Sequence, residues 1–201
     1  MPKRVQASAA YEELFGLLQD QATDLATSLA ARVYRCVRPK WAHPDHLLSG
    51  HGSLENGSRW LSCGIRPVCH AASSEWTALA ESRGPEIDYA IGQPKRQPRV
   101  LVELVVRFSR LADLNALRFS TGAPAILDLL GEDWRQCNHD GFESCSQAIG
   151  RAGLNLGFEG FLVPSARDQT GNNLLWFPQS LLPGSSITLV GQEELDRWIV
   201  K

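Results

Sequence analysis

The segment VLVELVVRF, residues 100 to 108, constrains the fold more than any other part of the chain. Val100, Val102, Leu104, Val106 and Phe108 fall on one face of an extended strand, with Glu103 and Arg107 on the other. A chain carrying this strand must build a sheet. Shorter strands are expected at 33–37, 67–71, 159–163, 173–177 and 186–190.

Helices fit between them. Ser73 or Ser74 can cap a helix running to about Ser82. Others are expected from Pro124 to Leu130, with proline near the first turn, and over about 142–153. From Ser8 to Arg32, the positions Leu14, Leu18, Ala22, Leu25 and Leu29 recur at three- and four-residue steps, as on one face of an amphipathic helix. Residues 39–64 are rich in Pro, Gly, His and Ser and read as a long loop, and 84–99 as a polar connection. Short strands with interspersed helices give an α+β class, not a regular βαβ alternation. A length of 201 residues suits one domain: a helical extension at 1–32 followed by a compact domain at 33–201.

Charge and cysteine usage exclude several function classes. A net charge of −2 argues against a general nucleic-acid binder, which needs a basic face to displace counterions. No apolar run is long enough to span a bilayer, and MPKRVQASAAYEELFG lacks the apolar middle of a secretory signal. Cys36, Cys63, Cys69, Cys137 and Cys145 are odd in number and irregularly spaced, as expected of reduced thiols. A soluble cytoplasmic protein is the expectation.

Three chemistries can be tested against the residues. No metal site is expected, because Cys63, Cys69-His70 and Cys137-Asn138-His139 lack C-x-x-C or H-E-x-x-H spacing. Ser165 leaves the apolar strand Phe161-Leu162-Val163 in the context VPSAR, not in a G-x-S-x-G elbow, which suits a turn or capping residue better than a nucleophile. Arg35, Arg59 and Arg167 could offer bidentate forks to a pyrophosphate, or could pair with surface carboxylates. Counts alone favour the surface pairs. Glu81, on a helix with Trp76, Ala78, Leu79 and Ala80, is equally open between a site carboxylate and a solvated one.

Taken in order, these motifs resemble the RES-domain family. Tyr34-Arg35 ends a first strand, GSRW follows, a helix ends in A-L-A-E, and SQAIGRAG leads to GFEGFLVPSAR and N-L-L-W-F-P. The resemblance covers roughly residues 33 to 190, and the arginine, glutamate and serine of the family name correspond to Arg35, Glu81 and Ser165.

The resemblance implies a fold similar to ADP-ribosyltransferases and a toxin of a bacterial toxin–antitoxin module that degrades NAD. The implied reaction breaks the nicotinamide–ribose bond, with NAD as substrate, no cofactor, and water or inorganic phosphate as acceptor. Glu81 would stabilise the oxocarbenium-like transition state, Arg35 would anchor the dinucleotide, and Ser165 would orient Glu81. Tyr34, Arg59, His70, Arg167 and Asn172 would contact substrate. The implied partner is a small helix-turn-helix (Xre-like) antitoxin, within a homodimer or larger oligomer. Transfer of ADP-ribose to a macromolecule, or an interaction module with weakened catalysis, are the alternatives.

One departure bears on activity. The family commonly carries V-x-Y-x-S where this chain has Val68-Cys69-His70-Ala71-Ala72, so His70 stands at the tyrosine position. A cationic imidazole beside an oxocarbenium would be unfavourable, which implies weakened, pH-dependent or redirected activity.

Overall fold

The computed structural model describes residues 5–88, 97–123 and 125–199. The long strand expected at 100–108 is longer still, running Val100–Asp113 (β3), and Val102, Leu104, Val106 and Phe108 are all buried. Its partner β1 is also long, Ala26–Val37, and the two pair antiparallel from Ala26↔Ala112 to Val37↔Val100. Residues 26–32 are therefore strand and not the end of a helix. The N-terminal helical region comprises α1 (Tyr11–Asp20) and a single turn, α2 (Ala22–Leu25). Leu14 and Leu18 of α1 join the core that also holds Ile149, Ala152 and Phe161, so the leucine face is covered by its own chain.

After β1, residues expected to form a loop contain the short helices α3 (Pro44–Leu47) and α4 (His51–Asn56). The strand β2 (Cys69–Ala72) follows. Helix α5 (Glu75–Asp88) is capped by Ser74, whose Oγ accepts from the Thr77 amide at 3.0 Å, and extends well past Ser82. Beyond β3 lie α6 (Ile126–Gly131) and α7 (Trp134–His139), the second absent from the sequence expectations. Pro124 lies outside the described residues. Helix α8 (Cys145–Asn155) starts with a capping box between Ser144 and Gln147. The strands β4 (Gly160–Pro164), β5 (Asn172–Trp176) and β6 (Ser186–Leu189) and a last helix α9 (Gln192–Ile199) complete the α+β domain.

The sheet runs in the order β1-β2-β5-β4-β3-β6, and β3 also pairs with β1, so five strands close into a ring. Only β3 and β4 run parallel. Closure is weakest between β1 and β2, which meet at the single pair Tyr34↔Ala72. Two strands that touch once and diverge leave a cleft, and α5 packs beside it.

Glycine at 150 is required by a close approach. A Cβ there would lie 1.5 Å from the Trp60 carbonyl oxygen, so α8 and the loop at 58–62 can pack only without a side chain. Gly150→Ala gains about 1 kcal/mol of helix propensity but overpacks by about 3 kcal/mol, so a net loss of about 2 kcal/mol is expected in a denaturant titration. Gly16→Ala in α1, with no atom within 4 Å of the added Cβ, is expected to stabilise by up to about 1 kcal/mol. Equal effects from the two substitutions would contradict this packing.

Candidate functional site

The cleft between β1 and β2 opens into a cavity of about 350 Å³. Its walls bring together Tyr34 and Arg35 from β1, His70 from β2, Glu81 from α5, Arg59 from the loop before β2, and Arg167 from the loop after β4. Six of the eight residues singled out in the sequence thus share one cavity. The other two do not line it. Ser165 sits behind Glu81, and Asn172 is exposed, its amide donating to Ser73 Oγ at 3.1 Å. The asparagine on the wall is its neighbour Asn173. Along a strand successive side chains face opposite sides, so a shift of one residue exchanges wall for exterior.

Glu81 is held by one of its two oxygens. Oε1 accepts from Ser165 Oγ at 2.5 Å, from Asn173 Nδ2 at 2.7 Å and from the Ala166 amide at 3.1 Å. Oε2 takes no donor from the described residues. Such an arrangement fixes the rotamer through one oxygen while leaving the other for chemistry in the cavity. The Ser165 hydroxyl is itself fully committed: it donates to Glu81 and accepts from the Arg167 and Asp168 amides, each at 3.0 Å. With its proton engaged by Glu81 and its oxygen by two amides, the hydroxyl is placed to position the carboxylate. The loop carrying it is tied to α5, because Thr77 Oγ1 donates to Asp168 Oδ2 at 2.6 Å.

Arg35 is partly buried, and its Nη1 donates to the His70 carbonyl, stitching β1 to β2 where the ladder has given out. Its Nε has no partner among the described residues. A buried, unpaired donor is costly unless a ligand satisfies it, which together with its place on the cavity wall makes Arg35 a candidate binding group. Burial pushes its pKa below the ordinary value, but a guanidinium stays protonated.

Arg59 differs from the expectation of a free fork. Its Nη1 donates to the carbonyls of Leu129, Leu130 and Glu132 at 3.2, 2.9 and 3.0 Å, so it secures the C-terminal end of α6 while lining the cavity. Burial lowers its pKa first, and the charges of Arg135 and Arg167 add to that, against the opposing pull of Glu81. Arg135 and Trp134 of α7 are wall residues missed in the sequence; the Arg135 guanidinium lies 4.4 Å over the Trp134 ring. Asp133, whose Oδ1 accepts from the Arg135 and Gln136 amides, is an N-cap signal that could have revealed α7. Among the described wall residues four arginines thus accompany one carboxylate, a field suited to a ligand with more than one negative charge.

The His70 imidazole is neutral here. Burial, followed by the nearby Arg35 charge, pushes its pKa down to about 4. An imidazole held neutral in this way does not bring the positive charge that a histidine at this position could have introduced. Because the folded-state pKa is depressed, the unfolded chain takes up this proton first as pH falls. Stability is full above about pH 6.5 and is lost progressively toward pH 4, by at most about 3 kcal/mol. The His70→Gln variant is expected to lose less stability over that interval than the parent; identical pH–stability curves would contradict the burial argument. Cys69 next to it is an inert core thiol, pushed up to about 11 by burial.

Among the described residues, no group of three or more His, Cys, Asp or Glu is placed to hold a metal, and no helix is long and apolar enough to cross a membrane. None of the five cysteines takes part in a disulfide.

A family model for the RES domain matches residues 32–195, and the chain belongs to that family. A chain in the crystal structure of the M. tuberculosis MbcT–MbcA toxin–antitoxin complex shares the fold, at a TM-score of 0.56 and 20% identity, over 94% of this chain and 98% of that one. No curated protein matches the sequence.

Proposed function

We propose that this RES-domain chain is the toxin component of a toxin–antitoxin module and depletes NAD by cleaving the bond between nicotinamide and ribose. The observation that carries this reading is Glu81, clamped through Oε1 on the wall of a cavity ringed by arginines, with no described donor on Oε2. When the C1′–N bond breaks, its electron pair leaves with nicotinamide and neutralises the pyridinium. The ribose carbon is left as an oxocarbenium, and a fixed carboxylate stabilises that developing positive charge. Water then adds and releases a proton to give ADP-ribose; inorganic phosphate in its place gives the 1-phosphate.

Arg35 and Arg167 would hold the pyrophosphate, and Arg59 would support it from the wall. Tyr34 and the neutral ring of His70 would pack against the nicotinamide riboside. Ser165 would act on Glu81, not on substrate. We infer also the kinship to ADP-ribosyltransferases, a cytoplasmic site of action on the NAD pool, and a small helix-turn-helix antitoxin that covers the cavity.

Incubation of the pure protein with NAD, with and without inorganic phosphate, tests the reading. Nicotinamide release is expected, and the phosphate dependence identifies the acceptor. No release under either condition would sink it, and label passing from NAD to a macromolecule would move the activity to the transferase class. An imidazole that is neutral above about pH 5 should add no inflection to the kcat/KM profile between pH 6 and 7.

A further inference from the structure

A second cavity, of about 310 Å³, lies on the other side of Arg35. Arg35 and His70 line both, so the two cavities adjoin along these side chains. The chemistry of the second differs sharply from the first. Arg38, Lys40, His46 and His51 surround it together with Arg35, and none of its described lining residues is acidic. In a chain whose net charge is −2, a pocket lined by two arginines and a lysine, with no carboxylate among its described residues, suits an anionic occupant. The wall also holds an aromatic face. Trp41 is 37% exposed, braced by the His46 ring at 5.9 Å in an edge contact and overlain by Lys40 Nζ at 4.9 Å.

We infer that this second cavity is a subsite for a phosphate-bearing group, filled by the adenylate half of the dinucleotide: phosphate against Arg38 and Lys40, base against Trp41. This assignment rests on the dinucleotide reading of the main cavity. It also gives that reading a direction, with nicotinamide riboside at Glu81, the pyrophosphate passing Arg35, and the adenosine end reaching the segment from Arg38 to His51. The second source of the same chemistry is free inorganic phosphate, which would use the cations and ignore the indole.

Calorimetry separates these possibilities with probes that need no turnover. AMP, nicotinamide mononucleotide and inorganic phosphate are titrated into the parent protein, the double variant Arg38→Glu/Lys40→Glu, and Trp41→Ala. The altered side chains are all exposed, so the fold should persist. The expected result is at least a tenfold loss of AMP affinity in the double variant and in Trp41→Ala, with nicotinamide mononucleotide held within twofold. In turnover, KM for NAD should rise in both variants at an unchanged kcat. Loss of phosphate and AMP binding together in the double variant, with Trp41→Ala neutral, would support the phosphate group while removing the base from the indole. AMP binding equal in all three proteins would overturn the subsite. AMP binding that depends on these residues in a protein that releases no nicotinamide would retain the subsite and defeat the proposed activity instead.

Discussion

Replacing Glu81 by glutamine is expected to lower kcat for nicotinamide release by about 10³-fold, roughly 4 kcal/mol, with little change in stability. Glutamine keeps the shape of the side chain and an oxygen that can accept from Ser165 Oγ, Asn173 Nδ2 and the Ala166 amide, as Oε1 does now. What it removes is the negative charge opposite the developing oxocarbenium. Ground-state binding depends mostly on the arginines, so KM should change little, and a loss in kcat alone is the sign of an interaction made only in the transition state. A tenfold or smaller effect would mean that the carboxylate is a bystander.

The serine separates positioning from covalent chemistry. Ser165→Ala removes one of three donors to Oε1 and leaves the Arg167 and Asp168 amides without their acceptor. A loss of about 10- to 100-fold follows from loosening the carboxylate, and it should largely vanish in the Glu81→Gln background, because the serine acts through that charge. A nucleophilic serine would instead cost as much as Glu81 itself and would cost it in either background.

Much of this site was legible in the residues, and the failures have physical causes. The alternation in 100–108 named a strand because period two admits no other element, and the structure buries the expected face. Leu29, four residues after Leu25, misled for the opposite reason. A spacing of four keeps residues on one side of a helix and also on one side of a strand, and the short segment between them adds no contrary signal. Pairing with β3 decides in favour of strand, a long-range contact that local periodicity does not encode. Asn172 and Asn173 are told apart only by register, which the sequence does not carry. Arg59 looked like a free fork because its three carbonyl partners belong to a helix end 70 residues away.

Glu159 is where the largest loss of stability is expected. It lies within GFEGFLVPSAR, immediately before the strand that leads to Ser165, yet it is fully buried and lines none of the site. Along one edge, β3 pairs with β6 up to Arg107 and with β4 from Leu111, and the backbone between them has no strand to bond. The Glu159 carboxylate fills that gap: Oε2 accepts from the Ser109 and Arg110 amides at 2.8 and 2.7 Å, and Oε1 accepts from Leu182 N at 2.9 Å. Its own amide donates to the Arg110 carbonyl, and its carbonyl accepts from Phe177 N. One side chain thus splices three segments of the ring. Glu159→Leu leaves the Arg110 and Leu182 amides without that acceptor, at about 1–3 kcal/mol each, and leaves Ser109 N only Ser185 Oγ, so a total of about 4 kcal/mol is expected against a domain stability of about 5–15 kcal/mol. Glu159→Gln should cost about half as much, since its amide nitrogen cannot accept from Leu182 N while its oxygen can still serve Ser109 and Arg110. Urea titrations of the two variants test this order. A loss under about 1 kcal/mol in Glu159→Leu would show that water can replace the carboxylate, and that the ring does not depend on this splice.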